Sequence, residues 1–232
     1  MAIKIQNTDQ IEIDSVKCVV YGGAGVGKTR LCATAPSPLI ISAESGLLSL
    51  AEVSVDYIEV NSLREFDECY RYVRSSADAA KYKTICLDSL SEIAEALLQN
   101  ILPDYKDPRQ AYAELANSMM PMLRKFRDLK GKHTLFTSKL ITVQDEESGK
   151  VTQELMLPGK VLSNQVPYMV DELFCLQTDK KDVGYLQTKP DRQRFAKDRS
   201  GALANPEIPD MQVIINKIME KAKRKTSNGN TP

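Results

Sequence analysis

The sequence predicts an α/β fold in which a mostly parallel sheet carries helices on both faces and finishes in antiparallel strands or a hairpin. Three observations carry this expectation. Short apolar runs alternate with amphipathic segments as far as residue 137, which implies crossover connections between parallel strands. A glycine-rich turn leaves the first of those runs and opens a helix. After residue 138 the alternation stops, and strand candidates follow one another across polar turns.

Taken in order, Val16–Tyr21 reads as a buried strand ending in the glycine-rich turn. A helix follows from Gly27 to about Ala35, stopped by Pro36 and Pro38. Leu39–Ile41 and Tyr57–Val60 are the next two strands. Ser62-Leu63-Arg64-Glu65 forms a capping box, so a helix starts there and runs to about Arg74. Thr84–Asp88 is a fourth strand, followed by a helix through Ile93, Leu97 and Ile101. A longer helix places Leu115, Met119, Met122, Phe126 and Leu129 on one apolar face. Thr134–Thr137 is a fifth strand. Ile141–Val143 and Val151–Leu155 flank the polar turn 146–149 as a hairpin, and Glu172–Gln177 and Gly184–Thr188 are two more strands. A last amphipathic helix spans about Met211–Lys223. Residues 1–225 read as one domain and 226–232 as a disordered tail.

Composition excludes several classes of function. The 232 residues, 42% hydrophobic, suffice for a buried core without disulfides or a structural metal. Lys+Arg and Asp+Glu each number 31, so the chain is not a polycation that binds nucleic acid over its whole surface. No apolar run is long enough to span a membrane, and the start lacks the apolar stretch of a signal peptide. A cytoplasmic location is expected, in the bacterial host if the chain is phage-encoded. Cys18, Cys32, Cys69, Cys86 and Cys175 are odd in number, with no Cys-x-x-Cys pair, and read as free thiols. His133 is the only histidine, which argues against structural zinc and against a His-dependent hydrolase. A satisfied core or strand-edge residue is its reading.

Gly22-Gly23-Ala24-Gly25-Val26-Gly27-Lys28-Thr29 matches Gly-x4-Gly-Lys-[Ser/Thr], the Walker A pattern. The chemistry requires this spacing. Glycines let successive backbone N–H groups wrap an anion, and a helix N-terminus adds its positive dipole end. Lys28 is placed to reach the β- and γ-phosphates of ATP and the Thr29 hydroxyl to ligate Mg2+, with Arg30 continuing the cradle. Asp88, an acid ending an apolar strand, is the matching Walker B candidate and the second metal-site residue.

These residues resemble the RecA-like P-loop NTPase core. Walker A, an apolar strand ending Ser42-Ala43-Glu44, and Leu87-Asp88-Ser89 carry that resemblance. More closely, the chain is similar to phage-encoded RecA-core ATPases of the Sak single-strand annealing type. Phe136-Thr137-Ser138-Lys139, Leu157-Pro158-Gly159-Lys160 and Ala196-Lys197-Asp198-Arg199 extend it over roughly residues 16–203. The resemblance implies that Glu44 activates the attacking water and that Ser138 senses the γ-phosphate. It implies that Lys197 and Arg199 enter a neighbouring subunit's site, as an arginine finger does. It further implies a ring or filament, single-stranded DNA as ligand, and a single-strand-binding protein as partner.

Zero net charge conceals local asymmetry. Residues 124–132, 189–199 and 217–225 each hold five bases. Single-stranded DNA binding needs cations interleaved with stacking rings. The segment with Tyr105, Lys106 and Arg109 offers that mixture where a RecA-type protein places its first DNA loop, and Lys139 to Lys160, with Lys150, would form the second. The leading expectation is thus a DNA-stimulated ATPase of recombination or annealing. The alternatives are an AAA+-type loader or remodelling ATPase, a small-molecule P-loop kinase, and a module that binds nucleotide without turnover.

Overall fold

The computed structural model describes residues 7, 13–43 and 48–228. Its centre is a nine-stranded sheet. Strand β1 (Lys17–Gly22) lies between β5 (His133–Gln144) and β7 (Glu172–Thr178), and β4 (Thr84–Leu87) follows on the far side of β5. Next come β2 (Pro38–Ser42) and the edge strand β3 (Asp56–Glu59); all six of these strands are parallel. Antiparallel strands complete the C-terminal side: β6 (Val151–Met156) on β5, and β8 (Gly184–Gln187) and β9 (Lys197–Asp198) on β7. This is the expected mostly parallel α/β arrangement with antiparallel strands at its C-terminal side, and one strand separates the strand that leads to the glycine loop from the strand that leads to Asp88.

The parallel strands are near-continuous apolar runs because helices cover both their faces. One face is packed by α2 (Leu63–Ser75), α3 (Leu90–Ile101), α4 (Pro108–Arg127) and α5 (Lys160–Met169), which contribute Phe66, Ile93, Phe126 and Leu162 to a core with Val19, Ile85 and Phe136. The other is packed by α1 (Lys28–Ala33) and α6 (Met211–Asn228), whose Leu31, Cys32, Ile214 and Ile218 meet Val20, Ile40, Cys86 and Leu135. Alternation along each strand decides which residues face which layer. All five cysteines are free and buried. His133 accepts a hydrogen bond at Nδ1 from the Val16 N–H at 3.0 Å, and burial pulls its pKa down to about 4.

The capping box forms at α2, where the Ser62 hydroxyl accepts from the Glu65 N–H at 3.3 Å. Four local features differ from expectation. Helix α5 follows Gly159 where no helix was predicted; Pro167 lies inside it, and Leu162 and Val166 anchor it in the core. Strand β5 runs on past Thr137; from Leu140 it is an arm paired only with β6, its outer residues 141–144 exposed. The two-residue strand β9 adds to β7. Helix α6 continues beyond Lys223 to Asn228.

Candidate functional site

Strand β1 delivers the glycine loop. At Gly22 an added Cβ would lie 2.7 Å from the Leu176 carbonyl oxygen and 2.9 Å from Val26 Cγ2, so only glycine fits between β7 and the loop. Gly25 and Gly27 have φ of 74° and 98°, a region that favours glycine, and the space above their Cα atoms is open. Gly23, Ala24 and Val26 complete the turn. Lys28 Nζ donates to the carbonyls of Gly22 at 2.9 Å and Gly23 at 2.7 Å, so the ammonium already lies over the loop. Thr29 and Arg30 follow in the first turn of α1, which is anchored by buried Leu31 and Cys32. Its far end is held by α6, because Thr34 Oγ1 accepts from the Met211 N–H at 2.9 Å.

Asp88 follows β4 directly and is 4% exposed. Its N–H donates to the Ile41 carbonyl at 2.9 Å, which continues the pairing with β2. Its Oδ1 accepts from the Thr137 hydroxyl. The peptide between Asp88 and Ser89 is cis. Strand alternation sets Ser42, Asp88 and Thr137 on the α1 face, in phase with Ile40, Cys86 and Leu135. A buried polar row therefore crosses β2, β4 and β5 at the sheet end where β1 gives way to the glycine loop. An open loop of N–H donors with one ammonium, beside a hydroxyl (Thr29) and a carboxylate (Asp88), is a donor set suited to a polyphosphate carrying Mg2+.

The AAA_24 family model, described as an AAA domain, matches residues 14–200. The chain belongs to this AAA family. No curated protein matches the sequence. Among solved structures, a KaiC-like protein, PH0186, from the hyperthermophilic archaeon Pyrococcus horikoshii OT3 is similar over 74% of this chain and 77% of its own, at 15% identity and a TM-score of 0.39. Among the described residues of this AAA domain, no helix is long and apolar enough to cross a membrane.

The other anticipated site residues divide sharply. Glu44 lies outside the described residues. Ser138 points to the opposite face from Asp88: its hydroxyl lies 3.1 Å from Ser91 Oγ and 3.2 Å from the Met156 carbonyl, at the junction of α3 and β6. The strand-end hydroxyl that meets the Asp88 carboxylate is Thr137, one residue earlier. Period-two alternation was the available signal, since Thr137 is in phase with Leu135 on the α1 face. Ser42, buried at the end of β2, is the other residue of that row missed from sequence.

Lys197 and Arg199 lie at the other end of the sheet. Asp198 pairs with Glu172 at the start of β7, and Glu172 in turn lies opposite Cys18 on β1. Four strand residues, roughly 13 Å, separate that position from Gly22. They are remote from the glycine loop of their own chain. Lys197 Nζ caps α5, donating to the carbonyls of Pro167 at 2.8 Å and Val170 at 2.6 Å, and burial lowers its pKa. Arg199 pairs with Asp171 at 3.2 Å, both well exposed. Beneath them Glu172 is buried, and burial raises its pKa to about 8.

The anticipated DNA-loop residues are less available than their sequence suggests. Lys139 is held between Glu92 at 2.5 Å and Glu95 at 2.9 Å; burial pulls its pKa down, but the two carboxylates outweigh that and leave it raised. Tyr105 packs its ring against the core. Arg109 is exposed beside Asp107, 3.7 Å away, and Lys106, Lys150 and Lys160 are exposed.

Proposed function

We propose that this AAA domain is an ATPase that binds single-stranded DNA, assembles with copies of itself in a ring or filament, and serves recombination or annealing of the Sak type. The observation that carries the ATPase step is the Asp88–Thr137 pair on the same face as the glycine loop and α1. In this reading the loop N–H groups and Lys28 hold the phosphates, the ammonium exchanging the Gly22 and Gly23 carbonyls for phosphate oxygens. Thr29 and Asp88 hold Mg2+, which when bound neutralises charge on the phosphates. Glu44 orients the attacking water. Thr137 is a positioning residue that fixes the Asp88 carboxylate.

Thr137→Val keeps the side-chain shape and removes the hydroxyl. It is expected to raise the Mg2+ concentration for half-maximal hydrolysis about tenfold, while Thr137→Ser restores it. An unchanged Mg2+ midpoint in the valine variant would remove Thr137 from the site.

Arg199, exposed beside Asp171, supplies a cation to the neighbouring subunit's phosphates, whereas the Lys197 ammonium stays on the α5 carbonyls and positions the segment that carries it. Arg199→Ala is therefore expected to bind ATP normally and to lose stimulated hydrolysis. Full stimulated activity in that variant would show that the cation acts elsewhere.

The whole reading is tested by ATP hydrolysis with and without single-stranded DNA, at low and moderate salt, with Lys28→Ala as control. DNA-stimulated turnover that vanishes in the control supports it. Turnover indifferent to DNA favours a loader or remodelling ATPase acting on a protein partner. One feature recommends that second reading: the β5–β6 arm carries half-exposed Ile141 and Val143 behind the acidic residues Asp145, Glu146 and Glu147.

A further inference from the structure

Where would a DNA strand lie on this molecule? The two loops suggested by sequence position are poor candidates. Lys139 is neutralised by two carboxylates, and the arm beyond it has Asp145, Glu146, Glu147 and Glu154 against Lys150 alone. In the other loop Asp104 and Asp107 balance Lys106 and Arg109, and the Tyr105 ring is partly buried against the core. A strand of phosphates is repelled by the first and gains little from the second.

The segment after β8 has the opposite character. Residues 189–195 carry three bases against Asp191. A shallow cavity of about 330 Å3 lies here, with Tyr185, Lys189, Arg194 and Asn205 in its walls. Arg194 is oriented before any ligand arrives: Nε donates to Gln153 at 2.7 Å and Nη1 to Asp191 at 3.0 Å. Lys189 and Arg192 are exposed, and among the described residues their side chains make no ion pair. Next in the chain is Phe195, 60% exposed, a large apolar ring that follows these cations in the same short segment.

The display is rigid. The Phe195 carbonyl accepts from the Tyr21 hydroxyl at 2.7 Å, Ala196 is buried, and the Lys197 ammonium is fixed on α5. The turn before it is closed by Asp191 Oδ1, which accepts from the N–H groups of Gln193 and Arg194, each at 2.7 Å. A ring carried on a fixed backbone loses little backbone entropy when a base stacks on it.

We propose that the segment carrying Lys189, Arg192 and Phe195, positioned by Arg194 and with the adjoining Tyr185 cavity, is where single-stranded DNA docks: the two exposed cations take successive phosphates and the Phe195 ring takes a base. This assignment rests on the DNA-binding reading above and names its location. No base-edge reader is needed, so binding is sequence-tolerant and salt-sensitive.

The test is fluorescence anisotropy of a labelled oligo(dT) with the full chain, Mg2+ and ATP. Phe195→Ala should weaken binding about tenfold, and Phe195→Trp should restore it. Lys189→Ala combined with Arg192→Ala should flatten the log-affinity against log-salt slope by about 1.4. Both changes are at exposed positions, and thermal melting checks that the fold survives. If the unmodified protein binds the oligonucleotide and these variants bind equally well, the location is wrong while the DNA reading stands. If Phe195→Ala changes only the oligomeric state, the ring belongs to a contact between copies and the proposal falls. If the unmodified protein binds no oligonucleotide, the functional reading itself fails.

Discussion

Lys28→Ala is expected to leave the protein folded and to lower ATP turnover by about 100-fold or more. The ammonium donates to the carbonyls of Gly22 and Gly23, where β1 gives way to the loop, and Lys28 is itself only half-buried. Its removal should therefore cost little stability. Its loss from the phosphate site is another matter, because a cation aimed at developing charge in a site screened from water is worth several orders of magnitude in rate. Steady-state hydrolysis and binding of a fluorescent ATP analogue measure the effect, and thermal melting checks the fold. Turnover within tenfold of the unmodified protein would mean that the loop is not where hydrolysis occurs.

Gly22→Ala should do damage of a different kind. The new methyl would lie 2.7 Å from a backbone oxygen of a central strand and 2.9 Å from Val26 Cγ2. A side chain can turn away, but the Leu176 carbonyl cannot move without disturbing β7. Overpacking of this sort costs about 1–3 kcal/mol. For a chain of this size that lowers the melting temperature by roughly 2–4 °C for each kcal/mol. Nucleotide affinity should fall with it, since the loop must shift to relieve the contact. Gly23→Ala is the internal control: its added Cβ has no neighbour nearer than Val26 Cγ1 at 3.8 Å, so melting should be little changed. Equal melting temperatures for the two variants would refute the steric account.

The glycine loop and Asp88 were legible in the sequence because each is a local pattern with a mechanical cause. A strand must end, a loop must expose its N–H groups, and an acid at a strand end must sit near them. Thr137 is harder to pick out, because it and Ser138 are hydroxyl residues at the same strand end and only the phase of the alternation tells the faces apart. Lys139 looked like a free cation for a related reason. Its partners Glu92 and Glu95 belong to α3, more than forty residues away, and charge counting within a segment does not see them. The carbonyls that occupy Lys197 come from α5, a helix whose internal Pro167 and weak periodicity hide it from pattern reading. Local patterns announce backbone shape and phosphate chemistry. What a long cation does depends on elements brought to it by the fold.

The Tyr21 hydroxyl has a consequence for communication. Tyr21 is fully buried, one residue before the glycine loop, yet its single proton is spent on the Phe195 carbonyl, with the Gln153 carbonyl 3.3 Å away. The strand that carries the nucleotide loop and the segment that displays Phe195 thus share one donor. Any displacement at the end of β1 that accompanies nucleotide binding alters the geometry of that bond, and any ligand that shifts Phe195 alters it from the other side. Two ligands acting on one bond are thermodynamically reciprocal: on the DNA-binding reading proposed above, by whatever factor ATP tightens the hold on a strand, the strand tightens the hold on ATP.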